Sequence, residues 1–128
     1  MSVLERPYYS HATVREGTPV FLTGQVAWDA AGAVVGVGDI EAQVAQTWKN
    51  LDTVLASIGA SAADIVKFTT YALSRDFVPA LHAERARHYP SGPLPASTFV
   101  VVAGLAEPEL LVEIEAIVVL PARSGRSA

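Results

Sequence analysis

Residues 95–120 read PASTFVVVAGLAEPELLVEIEAIVVL and contain two apolar runs that are rich in β-branched side chains. The runs, residues 98–102 and 110–120, have the composition and length of buried strands. The region between them, residues 104–108, contains a glycine and a proline and is typical of a turn. We therefore predict two strands of a sheet at this end of the chain.

The side chains of the second run divide between two faces, since successive residues of a strand point to opposite sides. One face of this run is entirely apolar. The opposite face has two carboxylates, Glu113 and Glu115. Because ionised carboxylates are rarely fully buried unless paired, we expect both to face solvent, a cation or a cleft. A solvated or subunit-facing sheet surface is the alternative to a functional site. The predicted core face consists of Val112, Ile114, Ala116 and Val118.

The length and composition indicate one cytoplasmic domain. The 128 residues are enough for a single hydrophobic core. No apolar run reaches the ~18 residues of a membrane span, and the first residues lack the basic and apolar segments of a signal peptide. Cysteine is absent, which excludes disulfides, thiol catalysis and cysteine-ligated metals.

The charge balance disfavours a nucleic-acid partner and favours self-association. The net charge is −4, and the nine lysines and arginines form no basic stripe of the kind that binds phosphates. Apolar residues make up 51% of the chain and charged residues 17%, compared with roughly 25% charged residues in ordinary domains. A chain of this size cannot bury all of that apolar surface, so we expect a homo-oligomer.

The first half of the chain predicts a hairpin followed by a long amphipathic helix. Residues 20–27 form a predicted strand with an internal glycine, which suggests a bulge or a close backbone approach, and residues 34–37 are expected to pair with it. Asp39 is a predicted N-cap and Gly59 a predicted helix stop, with an apolar stripe that includes Trp48 between them. The predicted outer face of this helix consists of Gln43, Gln46, Lys49 and Asn50.

The second half predicts a strand at residues 65–73 and a second helix. Phe77, Leu81 and Tyr89 are expected on the inner side of that helix, and the outer side is expected to have Glu84, Arg85 and Arg87. His82 and His88 are six residues apart, which is not the spacing of a helical metal-binding pair. His11 is distant, and neither an HExxH motif nor an EF-hand loop occurs, so no metal site is expected; a phosphate-binding loop and a nucleophile elbow are absent as well. The element order predicts an α+β fold with two helices on one face of a sheet, whose other face a second copy could cover.

Together these segments resemble the Rid family of reactive intermediate deaminases, also called the YjgF or L-PSP family. The resemblance runs from about Tyr9 to Pro121 and includes FLTGQ at 21–25, GDIEAQ at 38–43, DIVK at 64–67 and VEIEA at 112–116. It implies a chorismate-mutase-like mixed sheet and a homotrimer around a central barrel, with ligand clefts between subunits. It also implies cofactor-free hydrolysis of small enamines and imines, such as 2-aminoacrylate, to 2-keto acids and ammonia.

One position departs from that family pattern. In the family's deaminases an arginine, two residues after the proline of a Pro-Ala-Arg segment, binds the substrate carboxylate, and here that position is Ser97. A serine hydroxyl cannot replace a bidentate guanidinium, so Arg85 or Arg87 is considered as a substitute. The resemblance assigns to Glu113 the positioning of the attacking water. It also assigns cleft positions to Tyr9, Thr23 and His82.

Three functions follow from these observations. The first is a hydrolase of small imines or enamines, with a substrate preference altered by Ser97. The second is a trimer that binds a small metabolite without turnover, as the missing arginine suggests. The third is an endoribonuclease or translation inhibitor, a description given to some family members, which the acidic composition disfavours. Residues 1–121 are expected to form the single Rid-like domain, and residues 122–128 a disordered tail.

Overall fold

Four strands form one mixed sheet in the computed structural model, which describes residues 2–122. In chain order the elements are β1 (Thr18–Phe21), α1 (Ile40–Ser57), β2 (Ile65–Ala72), α2 (Val78–His88), β3 (Ala96–Val101) and β4 (Val112–Leu120). The strand order across the sheet is β1-β4-β2-β3. Strands β2 and β3 are parallel, and the other two pairings are antiparallel. This is the predicted α+β architecture. The predicted tail lies, except for Ala122, outside the described residues.

The core lies between the two helices and one face of the sheet. The predicted inner face of β4 is confirmed, because Val112, Ile114, Ala116 and Val118 are at most 2% exposed. They join one apolar cluster with side chains of α1, α2 and β2. Trp48 is 1% exposed, as predicted, and its ring lies 5.3 Å from that of Phe68 in an edge-on arrangement.

The predicted limits of the first helix are confirmed to within about one residue. The Asp39 carboxylate accepts a hydrogen bond of 3.1 Å from the backbone N–H of Ala42, which satisfies a donor that the helix leaves free. Helix α1 ends at Ser57, and Gly59 has a φ of +72°, the left-handed conformation that stops a helix.

The predicted hairpin is wrong in its extent. Strand β1 is only Thr18–Phe21, and beyond it Gln25 forms an isolated bridge with Ile114. A Cβ at Gly24 would overlap with Oε2 of Glu113, so the Glu113 carboxylate occupies the space that a regular strand side chain would need. The expected return strand at residues 34–37 is reduced to a single bridge between Trp28 and Val34. Positive φ values at the glycines that follow, 79° at residue 36 and 71° at residue 38, prevent an extended run there.

Gln43 is buried, not on the outer face of α1 as predicted. It is 0% exposed, and its Nε2 donates to the backbone carbonyls of Gly36 at 3.1 Å and Glu109 at 2.8 Å. Its Oε1 accepts from the backbone N–H of Leu111 at 2.9 Å. The side chain therefore bonds three backbone groups of two loops and ties these loops to α1.

Replacing Gln43 with leucine should lower the free energy of unfolding by about 2–4 kcal/mol, because it removes the three hydrogen bonds of a fully buried side chain. Equilibrium chemical denaturation would measure the loss. Gln46→Leu, one turn along α1, provides the matched control: its side chain is partly exposed and its bond to the carbonyl of Trp28 is open to solvent, so water can replace that bond. Equal losses for the two variants would contradict the structural role of Gln43.

Candidate functional site

A cavity of about 230 Å³ lies between α2, the N-terminal segment and the strands β2 and β3. Its volume is below the roughly 300–1,000 Å³ of pockets for drug-sized ligands and therefore suits a small metabolite. Apolar and aromatic side chains form most of its wall, with a few polar groups among them. The lining residues are Tyr8, Tyr9, Thr70, Val78, Leu81, His82, Arg85, Ser97 and Phe99.

Arg85 is the central charged group of this cavity. The prediction that it lies on the outer side of the second helix is wrong, because it is four residues after Leu81 and shares its inward face. Arg85 is 8% exposed, and its guanidinium lies 5.0 Å from the centre of the Phe68 ring. Its Nη1 donates to Oγ of Ser97 at 3.1 Å and to the carbonyl oxygen of Tyr8 at 3.2 Å.

The Arg85 cation has no carboxylate partner among residues 2–122. Burial lowers the pKa of its guanidinium, but an arginine side chain stays protonated in proteins. A buried charge without a counter-ion is costly, and an anion that enters the cavity would offset that cost. Arg87 does not take part: it is exposed and forms an ion pair of 2.8 Å with Glu84.

The N-terminal segment forms one wall of the cavity through stacked rings. The Tyr8 ring stacks on His82 with 3.9 Å between centroids, and the Tyr9 ring meets Tyr8 edge-on at 5.6 Å. Ser10 holds the segment in place, since its backbone N–H donates to the carbonyl of Pro95 at 3.0 Å. Burial, and to a lesser extent the positive charge of Arg85, lower the pKa of His82 from its usual 6.5. The imidazole is therefore neutral at neutral pH and can donate or accept a hydrogen bond.

The cavity thus brings together four of the residues singled out from the sequence: Tyr9, His82, Arg85 and Ser97. The other two are elsewhere in the chain. Glu113 is opposite Tyr71 in the β2–β4 register, whereas Ser97 is opposite Phe68 in the β2–β3 register. Because Phe68 and Tyr71 are three positions apart, Ser97 lies on the helix side of the sheet and Glu113 on the other side. Thr23 is exposed in the loop after β1.

The sheet face that contains Glu113 has its own polar cluster. The Tyr71 hydroxyl donates to Oε1 of Glu115 at 2.5 Å, a short charge-assisted bond. Burial, and then the nearby charge of Glu115, raise the pKa of the Glu113 carboxyl group. Glu113 therefore accepts a proton more readily than an ordinary glutamate side chain.

Several lining residues were not identified from the sequence. Tyr8 is adjacent to Tyr9, which was identified. Phe99 is two residues after Ser97 and lies on the same face of β3. Thr70 follows the same two-residue period from Phe68, which was a signal available in the sequence. Only the packing of α2 shows that Val78 contributes to the same wall.

Within residues 2–122, no three or more His, Cys, Asp or Glu side chains are grouped so that they could hold a metal ion. None of the described helices has the length and apolar character needed to cross a membrane.

Comparisons with known proteins agree on one family. Residues 4–120 match the family model described as Endoribonuclease L-PSP. A 2-iminobutanoate/2-iminopropanoate deaminase from Dermatophagoides farinae is 32% identical over 112 residues, which cover 88% of this chain and 85% of the relative. A RutC family protein from Synechocystis is 32% identical over 114 residues, with coverage of 88% and 86%.

Solved structures share the fold. A Rid family protein of unknown function from Yersinia pestis, YyfB, has a TM-score of 0.81 and 40% identity over 88% of this chain and 86% of that chain. The RidA protein of an Antarctic Psychrobacter bacterium has a TM-score of 0.72 and 30% identity, with 88% of each chain covered.

Replacing Glu113 with glutamine should raise the free energy of unfolding at neutral pH, because its surroundings disfavour the ionised carboxylate. The folded-state pKa lies above that of the unfolded chain. Wild-type stability from this group is therefore fully present below the unfolded value of about 4.3 and is lost as the pH rises through the folded value. The gain from glutamine should disappear below about pH 4.

Chemical denaturation at pH 4 and pH 7.5 would measure this difference. Glu16→Gln is the control, since Glu16 is exposed and away from the cluster. A variant less stable than the wild type at pH 7.5 would overturn the prediction and would indicate that a cation from outside residues 2–122 neutralises Glu113.

Proposed function

The chain belongs to the endoribonuclease L-PSP family, also called the Rid or YjgF family, and from this premise we propose that it hydrolyses small imines or enamines that carry a carboxylate. The proposal rests on one observation: the buried Arg85 guanidinium is hydrogen-bonded to Ser97, at the position where the family's deaminases have arginine. In this proposal, Arg85 on α2 replaces the arginine that the family's deaminases have at the position of Ser97 on β3. The deaminase from Dermatophagoides farinae, whose name specifies two imino acids, supports this substrate class.

The guanidinium has donors left for a carboxylate. Arginine has five N–H donors, and the bonds to Ser97 and Tyr8 both come from Nη1. Within residues 2–122, no acceptor is bonded to Nε or Nη2, the pair that binds a carboxylate through two parallel hydrogen bonds. In this arrangement Ser97 orients the arginine, and the arginine holds the substrate.

Imine hydrolysis then requires a water molecule and proton transfers. Water adds to the carbon of the C=N bond, and a proton is transferred to the nitrogen. The resulting carbinolamine loses ammonia and leaves a 2-keto acid, so that atoms balance without an external oxidant or reductant. His82 is within the cavity and neutral at neutral pH, so it is suited to hydrogen-bond the nitrogen or the water. No metal or organic cofactor enters this scheme.

We further propose that Glu113 acts from a neighbouring subunit. It lies on the sheet face away from the Arg85 cavity, so a homotrimer with clefts between subunits would be needed to bring it to a substrate. Exposed apolar side chains on that face support self-association: Phe21 is 74% exposed and Val100 is 39% exposed. A cytoplasmic location fits this metabolic role.

A metabolite-binding protein without turnover is the second candidate. It is favoured by the position of Glu113, because no carboxylate of the described chain lines the Arg85 cavity. In that case a 2-keto acid would bind at Arg85, but imines would not disappear faster. An endoribonuclease is disfavoured, since the net charge is −4 and the site cation is buried.

A coupled assay tests the proposal. A pyridoxal-dependent dehydratase generates 2-aminoacrylate from serine, and loss of the imine is followed with and without the protein. The wild type should accelerate this loss. Arg85→Gln should lower kcat/KM by about 10- to 100-fold, because charged hydrogen bonds contribute roughly 1.5–3 kcal/mol.

Arg87→Gln is the matched control, being the same change on an exposed position of the same helix, and it should keep wild-type kcat/KM. Arg85→Lys retains the charge without the planar fork and should give an intermediate loss. Thermal unfolding of each variant would separate misfolding from lost binding. Wild-type kcat/KM in a folded Arg85→Gln variant would refute the role of this arginine.

A further inference from the structure

We propose that Thr70 determines which ligands the Arg85 cavity accepts, by hydrogen-bonding an uncharged polar group at the far end of the ligand from its carboxylate. This inference rests on the proposed function only in taking a carboxylate to bind at Arg85. It adds a second anchor point, and with it a class of ligand: a carboxylate with an apolar chain that ends in a hydrogen-bonding group.

The first observation is an unpaired hydroxyl. Thr70 is 1% exposed, and its Oγ1 is the one buried side-chain polar atom of residues 2–122 without a hydrogen-bond partner. Buried polar groups in proteins are nearly always paired, so such an atom requires an explanation. The other buried polar side chains are bonded: Thr47, for example, donates to the carbonyl of Gln43 at 2.8 Å.

The second observation is its position. Thr70 lines the same cavity as Arg85 and Ser97. In the parallel pairing of β2 and β3, Ser97 is opposite Phe68 and Phe99 is opposite Thr70. Two residues along a strand span about 6–7 Å. The cavity therefore has a cationic end at Arg85 and Ser97 and a neutral polar end at Thr70.

Apolar side chains also line this cavity: Val78 and Leu81 from α2, and Phe99 from β3, which is opposite Thr70. A ligand whose carboxylate binds Arg85 would place an aliphatic segment against these side chains and a polar atom, roughly four to five bonds away, near Thr70. The arrangement selects for both polarity and length.

The surroundings of the Thr70 hydroxyl favour an uncharged ligand group at this end of the cavity. A second carboxylate at the Thr70 end would be buried without a cation, which is unfavourable. An ether, carbonyl or hydroxyl oxygen of the ligand can accept a hydrogen bond from the Thr70 hydroxyl. This hydrogen bond would form away from bulk solvent. Sites built to hydrogen-bond a ligand discriminate against analogues that leave the protein group unpaired.

Two 2-keto acids of equal chain length test the inference, because they resemble hydrolysis products and bind without turnover. The probes are 5-methoxy-2-oxopentanoate and 2-oxoheptanoate, in which an ether oxygen and a methylene occupy the same place. Isothermal calorimetry with the wild-type full chain should give a Kd about 3- to 10-fold lower for the ether. Thr70→Val, which removes the hydroxyl but keeps the branched shape, should abolish this preference.

Thr70→Ser keeps the hydroxyl and should retain the preference, and Arg85→Gln should weaken both probes alike. Equal affinities in the wild type, an undiminished preference in Thr70→Val, or no binding of either probe would each overturn the inference. A Thr70-dependent preference in a protein that does not accelerate imine loss would confirm the inference while refuting the hydrolase. Thermal unfolding of Thr70→Val provides the check that the variant is folded.

Discussion

The bond between the guanidinium of Arg85 and the hydroxyl of Ser97 is the interaction on which the site depends. A buried cation is unfavourable unless its surroundings compensate, and here an aromatic face, a hydroxyl and one backbone carbonyl do so only in part. The side chain is held in place by the packing of α2 on β2. The uncompensated part of its charge is available to an anionic ligand, so the same contacts that position Arg85 leave the site ready for a carboxylate.

The alternation of side chains in the sheet separates the chemistry of the chain into two regions. Strand β4 buries its apolar residues under the helices and places Glu113 and Glu115 on the opposite face. The cation and the carboxylates are thus on different sides of one sheet. The residues that line the Arg85 cavity belong to one chain, and Glu113 of that chain lies on the other side of the sheet. Under the proposed function, catalysis that uses both groups therefore requires a second copy, whereas binding at Arg85 alone does not.

Features set by short-range periodicity could be predicted from the sequence. The inner face of β4, the cap at Asp39 and the burial of Trp48 follow from rules that span a few residues. Gln43 and Arg85 were assigned to outer helix faces because polar side chains usually lie there. Their burial is due to distant partners: backbone carbonyls at Gly36 and Glu109 for the glutamine, and Ser97 for the arginine.

The same reasoning applies to the departure at Ser97. The sequence shows the missing arginine and offers Arg85 and Arg87 as candidate substitutes, but the choice between them depends on where α2 packs. Ser97 is small and accepts a hydrogen bond, so it leaves room for Arg85 and fixes its Nη1. A cation that enters from a helix approaches a ligand from a different direction than one on the strand. In the proposed complex, the ligand carboxylate is oriented from the α2 side, and the chain attached to it extends along β2 and β3. Substrate preference should therefore differ between this protein and relatives whose arginine is on the strand, even where the fold is shared.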